Sequence, residues 1–193
     1  MPADIPITAA DTDEALMLRY GQGDVAAFEV LYRRHEMGTW RFILRSVRVP
    51  AVADELLQDV WFSVARQADK YQPSAKFKTW LFTLAHHRVV DHLRAAKAHV
   101  SLDVDDDSGP TVTLAADSSF GPVRQLESRQ QARALLDAIE SLSAAQRQAF
   151  LLQAEAGMDV QDIARTTGTS FETAKSRLRY ARSHLREVLK DMV

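Results

Sequence analysis

The chain has 193 residues, of which 46 % are hydrophobic and 26 % charged, with a formal net charge of −2. That suffices for one ordinary domain or two small ones with packed cores, and it argues against wholesale disorder. The absence of cysteine excludes disulfides and thiolate metal sites and suits a reducing compartment.

The N-terminal stretch carries Asp4 and Asp11 and lacks the basic and apolar regions of a signal peptide. No apolar run approaches the roughly 20 residues that span a bilayer, so a soluble, cytoplasmic protein is expected. With the charges so nearly balanced, contact with nucleic acid requires basic faces to be segregated from acidic ones.

Helical periodicity runs through most of the chain. Asp13 to Tyr20 forms a short first helix closed by Gly21-Gln22-Gly23, and Asp24 caps a longer one. Phe28, Leu31, Tyr32 and His35 share a face of that helix, continued by Trp40, Ile43, Leu44 and Val47, and Pro50 ends it. A third helix starts near Ala51 with Leu57, Val60, Trp61 and Val64 on its buried stripe, opposite a polar side of Asp54, Glu55, Gln58 and Asp59. Pro73 breaks the pattern, and a fourth helix runs from about Ala75 to Ala98 through Phe77, Trp80, Leu81 and Leu84.

Between Lys97 and Arg124 no Lys or Arg occurs, whereas Asp103, Asp105, Asp106, Asp107 and Asp117 do, punctuated by Gly109, Pro110, Gly121 and Pro122. This stretch reads as an acidic, flexible linker, too long for a loop inside one compact domain. Helices resume with the stripe Leu135, Ile139, Leu142. Ser143 then caps a helix that carries Ala149, Phe150 and Leu152 and stops at Gly157. Two more follow, Asp159 to Thr166 and Ser170 to about Lys190. The fold class is all-α in two small domains, residues 1–98 and 124–193, joined by a linker over 99–123.

Residues 160–170 have helix-turn-helix grammar. Ala164 is small where two helices cross, Gly168 permits the left-handed turn, and Ser170 caps the second helix. Ser170, Phe171, Glu172, Thr173 and Ser176 lie near the end that enters a major groove, while Lys175, Arg177 and Arg179 suit phosphate as well as base contacts. Leu178, Ala181 and Leu185 face the core. Between Tyr71 and Lys97, aromatics (Tyr71, Phe77, Trp80, Phe82) alternate with bases (Lys76, Lys78, Arg88, Arg94, Lys97), a composition that grips single-stranded DNA by stacking and charge.

In both halves the motifs resemble the extracytoplasmic-function sigma factors of the sigma-70 family. Residues 23–35, 53–61, 77–82 with 91–94, 142–147 and 175–178 carry the likeness in the family's order, from about residue 13 to 190. It implies a region 2-like bundle, a region 4-like helix-turn-helix domain, and a factor that binds core RNA polymerase and directs promoter recognition, −10 melting and initiation. By the resemblance, Asp54, Glu55, Gln58 and Asp59 dock on the polymerase clamp, although a merely solvated acidic face has the same composition. The −10 element falls to Tyr71, Lys76, Phe77, Lys78, His87, Arg88, Arg94 and Lys97, with a flipped base held near residues 71–76. The −35 duplex falls to Ser170, Phe171, Glu172, Thr173, Lys175, Ser176, Arg177 and Arg179. The resemblance further implies an anti-sigma partner, in this family often membrane-bound, and a linker whose acidic charge mimics the transcript, unless it is a plain tether.

Two positions depart from the family pattern. His87 stands where many members have asparagine, and Ala174 where a branched residue is usual. His86, His87 and His92 do not share one helical face, so no metal is expected. No cofactor is implied, and no phosphate-binding glycine loop or nucleophile–base pair marks an enzyme. A helix-turn-helix regulator that never joins the polymerase would explain residues 159–190, but it leaves the aromatic-basic helix and the linker without a role.

Overall fold

The structure, a computed structural model, describes residues 7–8, 10–100 and 122–190. Among these there are eight α-helices and one 3₁₀ turn, Ala68–Lys70. They group into two compact units, α1 to α4 and α5 to α8. The acidic residues Asp103, Asp105, Asp106, Asp107 and Asp117 lie outside the described residues.

In the first unit α1 spans Asp13–Gly21, α2 Val25–Val47, α3 Pro50–Arg66 and α4 Phe77–Val100. Thr12 caps α1, its hydroxyl accepting the Ala15 N–H at 3.2 Å. The Asp24 carboxylate accepts the Ala27 N–H at 3.2 Å at the start of α2, and the Arg19 guanidinium holds it below the usual carboxylate range. Pro50 does not only stop α2. It is the first residue of α3, where its missing N–H costs nothing, after a turn through Arg48 at φ 63°. The fourth helix begins two residues later than the periodicity suggests, at Phe77.

The core of this unit joins Leu16 and Met17 of α1, Leu31, Phe42 and Ile43 of α2, Val60 and Val64 of α3, and Phe77, Leu81 and Phe82 of α4, all fully buried. Phe42 and Phe82 meet edge to face at 5.5 Å. Each such side chain contributes about 1.5–3 kcal/mol of transfer free energy, which holds short helices together despite weak intrinsic stability.

In the second unit α5 spans Pro122–Ser141, α6 Ala144–Ala156, α7 Val160–Thr167 and α8 Phe171–Lys190. Ser143 and Gln146 form a reciprocal capping box at the start of α6, and Gly157 ends it in the left-handed conformation, φ 69°. Asp159 caps α7 through the Asp162 N–H at 2.8 Å. The buried stripe of α8 is Ala174, Leu178, Ala181 and Leu185, packed with Leu151, Leu152, Met158 and Ile163. The spacing of that stripe leaves the basic residues of α8 on its outer side.

Candidate polymerase and nucleic-acid interfaces

One side of α3 is buried through Leu57, Val60, Trp61 and Val64. That orientation puts Asp54, Glu55, Gln58 and Asp59 together on the exposed side. Trp40 of α2 donates its indole N–H to the Asp54 carboxylate at 2.8 Å and fixes its direction. Phe62, 64 % exposed, sits one turn beyond Gln58 and Asp59 on the same side. The sequence reading missed it, although its i+4 spacing from Gln58 was visible. An acidic surface ending in an exposed aromatic ring can pair with bases and bury an apolar contact.

The aromatic-basic segment divides into an inside and an outside. Tyr71 is only 8 % exposed and Phe77 is fully buried. Their rings pack together at 6.2 Å and against Trp80 at 5.1 and 5.8 Å. Burial, and then the charges of Glu14 and Asp13, push the Tyr71 phenol up to about 12. Residues 72–76, including Lys76, are exposed in front of this cluster, and Lys78 and Trp80 are half-buried beside it.

Further along α4, His87 and Arg94 are exposed and share a face by helical spacing, with Arg94 3.9 Å from Asp91. Arg88 is turned partly inward, donating to the Ser63 hydroxyl at 3.0 Å. The Lys97 side chain lies outside the described ones. His86 is buried while the neighbouring His87 is exposed, their rings 6.0 Å apart and tilted. Among the described residues no three His, Cys, Asp or Glu side chains cluster in a way that would hold a metal ion.

In the second unit the turn between α7 and α8 closes on backbone geometry. Gly168 adopts φ 63°, the Thr169 N–H reaches the Ala164 carbonyl at 2.9 Å, and Ser170 accepts the Thr173 N–H at 3.2 Å. Ser170, Phe171, Glu172 and Thr173 are exposed at the start of α8, Phe171 to 44 %. Lys175 lies 5.9 Å over the Phe171 ring and 3.7 Å from Glu172. Ser176 and Arg177 are half-buried, and Arg179 is exposed and stacks on Tyr180 at 5.1 Å.

Lys175, Arg179, Arg182 and Arg186 follow one another at helical spacing. With Val160 and Leu178 they line an open cleft of about 410 Å³. Arg182 and Arg186, basic residues of the same helix in the sequence, continue the i+3, i+4 series and extend the cationic face beyond the residues assigned to the −35 duplex. The helix-turn-helix thus offers a hydroxyl-bearing tip with one carboxylate, Glu172, for base edges and a cationic flank for phosphates.

Two helical units, the second a helix-turn-helix with a cationic flank, define a modular DNA-reading protein, and comparison with known proteins narrows the class. The family model for Sigma-70 region 2 matches residues 31–99 and that for Sigma-70, region 4 matches residues 132–185. The RNA polymerase sigma factor CarQ of Myxococcus xanthus is 31 % identical over 176 residues, covering 91 % of this chain and 97 % of CarQ. The ECF RNA polymerase sigma factor SigM of Mycobacterium tuberculosis is 32 % identical over 178 residues, covering 92 % of this chain and 85 % of SigM.

Among solved structures, the sigma factor RpoE in complex with the anti-sigma factor NepR from Bartonella quintana matches with a TM-score of 0.67 at 23 % identity, over 84 % of this chain and 96 % of that one. CnrH in complex with the cytosolic domain of CnrY matches with a TM-score of 0.61 at 22 % identity, over 94 % and 99 %. At these identities the structural likeness is one of fold. The chain belongs to the extracytoplasmic-function RNA polymerase sigma factors of the sigma-70 family. It is therefore a transcription initiation factor that binds RNA polymerase and promoter DNA.

Proposed function

We propose that residues 1–98 bind core polymerase and the −10 element, that residues 124–193 read the −35 element, and that residues 99–123 link them. The observation that carries this division is the segregation of charge. An acidic face on α3 (Asp54, Glu55, Gln58, Asp59, with Phe62) and a cationic flank on α8 coexist in a chain whose net charge is only −2. The α3 face docks on a basic polymerase surface. Lys76, Lys78, His87, Arg88, Arg94 and Lys97 meet the −10 strand, with Tyr71 and Phe77 forming the packed floor behind residues 72–76. Ser170, Phe171, Glu172, Thr173 and Ser176 face the −35 bases, and Lys175, Arg177 and Arg179 the phosphates.

The protein performs no catalysis of its own and acts in the cytoplasm; no helix among the described residues is long and apolar enough to cross a membrane. An anti-sigma factor controls it by covering these same surfaces, a reading supported by the RpoE–NepR complex of a similar fold. Co-elution and footprinting test the division of labour. Asp54→Ala with Asp59→Ala should abolish co-elution with core polymerase and leave −35 duplex binding intact. Lys175→Ala with Arg179→Ala should do the reverse and lower the salt slope of duplex binding by about 0.9 for each phosphate no longer neutralised. If both pairs abolish the same function, the division is wrong.

A further inference from the structure

We infer that Glu14 is a positioning residue for −10 recognition, and that α1 is the brace that sets the geometry of residues 71–76. The inference rests on the reading that this segment engages −10 DNA. Helix α4 starts at Phe77, and its first N–H groups have no partner within the helix. The preceding residue is Lys76, whose ammonium can donate hydrogen bonds but not accept them, so it cannot cap the helix. The acceptor comes from 63 positions away: Glu14 Oε1 receives the Phe77 N–H at 2.6 Å. A carboxylate at that end also suits the positive pole of α4.

Glu14 is itself held in place. Its neighbour Asp13 accepts from Arg34 Nη1 at 2.8 Å and sits 2.6 Å from His35 Nε2, tying α1 to α2. The His35 ring packs on Phe77 at 5.4 Å. At the other end of α1, Gly21 abuts the 3₁₀ turn so closely that a Cβ there would stand 2.5 Å from the Ala68 carbonyl oxygen. Nine residues of helix therefore touch the chain both just before and just after residues 71–76. Residues 72–76 have no helix or strand of their own, only a Ser74 N–H to Gln72 carbonyl bond at 2.8 Å, so the places where α1 holds the two ends of the segment constrain its shape.

The test uses holoenzyme reconstituted with core polymerase, on the promoter where the wild-type protein initiates and on fragments of it altered at single −10 positions. Glu14→Ala should lower discrimination between the preferred −10 base and its substitutes on the order of tenfold, while −35 duplex affinity stays unchanged. Glu14→Gln keeps a carbonyl acceptor and should retain most of the discrimination. Unaltered base preference in Glu14→Ala would overturn the inference. Absence of initiation by the wild-type holoenzyme would instead overturn the underlying functional reading. Should Glu14→Ala fail to fold, amide exchange in the wild-type protein decides. A Phe77 N–H protected from exchange at neutral pH in the wild-type protein, and less protected in Glu14→Gln, supports the brace, and rapid exchange at neutral pH in the wild-type protein refutes it.

Discussion

Replacing Tyr71 by Phe isolates one hydroxyl in the cluster behind residues 72–76. The ring is buried, and its Oη has no hydrogen-bond partner among the described residues. An unpartnered buried hydroxyl costs about 1–3 kcal/mol, so removing it while keeping the ring should stabilise the first unit by about 1 kcal/mol at neutral pH. The alkaline limb is the sharper signal. The unfolded chain releases the phenolic proton near 10, whereas the native one keeps it to about 12. Stability is thus whole below pH 10 and falls as pH rises through 12, by a loss on the order of 2–3 kcal/mol.

Tyr71→Phe should lack that loss. All three tryptophans, Trp40, Trp61 and Trp80, lie in the first unit, so urea unfolding followed by tryptophan fluorescence reports this unit alone. Wild-type and variant stabilities should diverge progressively above pH 10. Parallel curves, or a less stable variant at neutral pH, would show that the hydroxyl is solvated or bonded and that the cluster is wrongly described.

Three further outcomes follow from the geometry. Gly21→Ala, at the last residue of α1, gains less than the roughly 1 kcal/mol of helix propensity of an interior site, but overpacking against the Ala68 carbonyl costs about 1–3 kcal/mol. Thermal unfolding should therefore show a small net loss, and a stabilised variant would rule out the close approach. Gly168→Ala meets no atom within 4 Å, so its cost is that of the left-handed backbone alone, about 1–2 kcal/mol, with Gly168→Asn losing less. Asp13 is held below the usual carboxylate range first by its hydrogen bond to His35, with Arg34 adding to the effect against the opposing pull of burial. The stability it contributes is present above the unfolded value and lost as pH falls through the folded one. Asp13→Asn should flatten the acid limb of the first unit's stability curve, and an unchanged limb would deny the pair its role.

Features of local origin were legible in the sequence. The Ser143 cap, the glycine stops at 157 and 168, the Ser170 cap and the inward stripe Leu178, Ala181, Leu185 depend on residues within a turn or two of each other, and the structure has all of them. The exposed polar side of α3 followed from the apolar stripe opposite it. Long-range geometry was not legible. Gly21 does close α1 as its last residue, but its smallness has a long-range reason, the approach of the Ala68 backbone from 47 positions away. Tyr71 and Phe77 look like stacking platforms because composition cannot say which aromatics of a mixed segment turn inward. The Glu14 cap of α4 has no sequence signature, since a capping motif is recognised only when donor and acceptor are near neighbours.

The most direct measurement is run-off transcription with purified bacterial core polymerase, with and without this protein, on fragments that include its own upstream region. Discrete new starts that require the protein, and that vanish with Asp54→Ala plus Asp59→Ala, are the predicted result. A protein that binds duplex DNA but neither co-elutes with core polymerase nor produces any start would contradict the account.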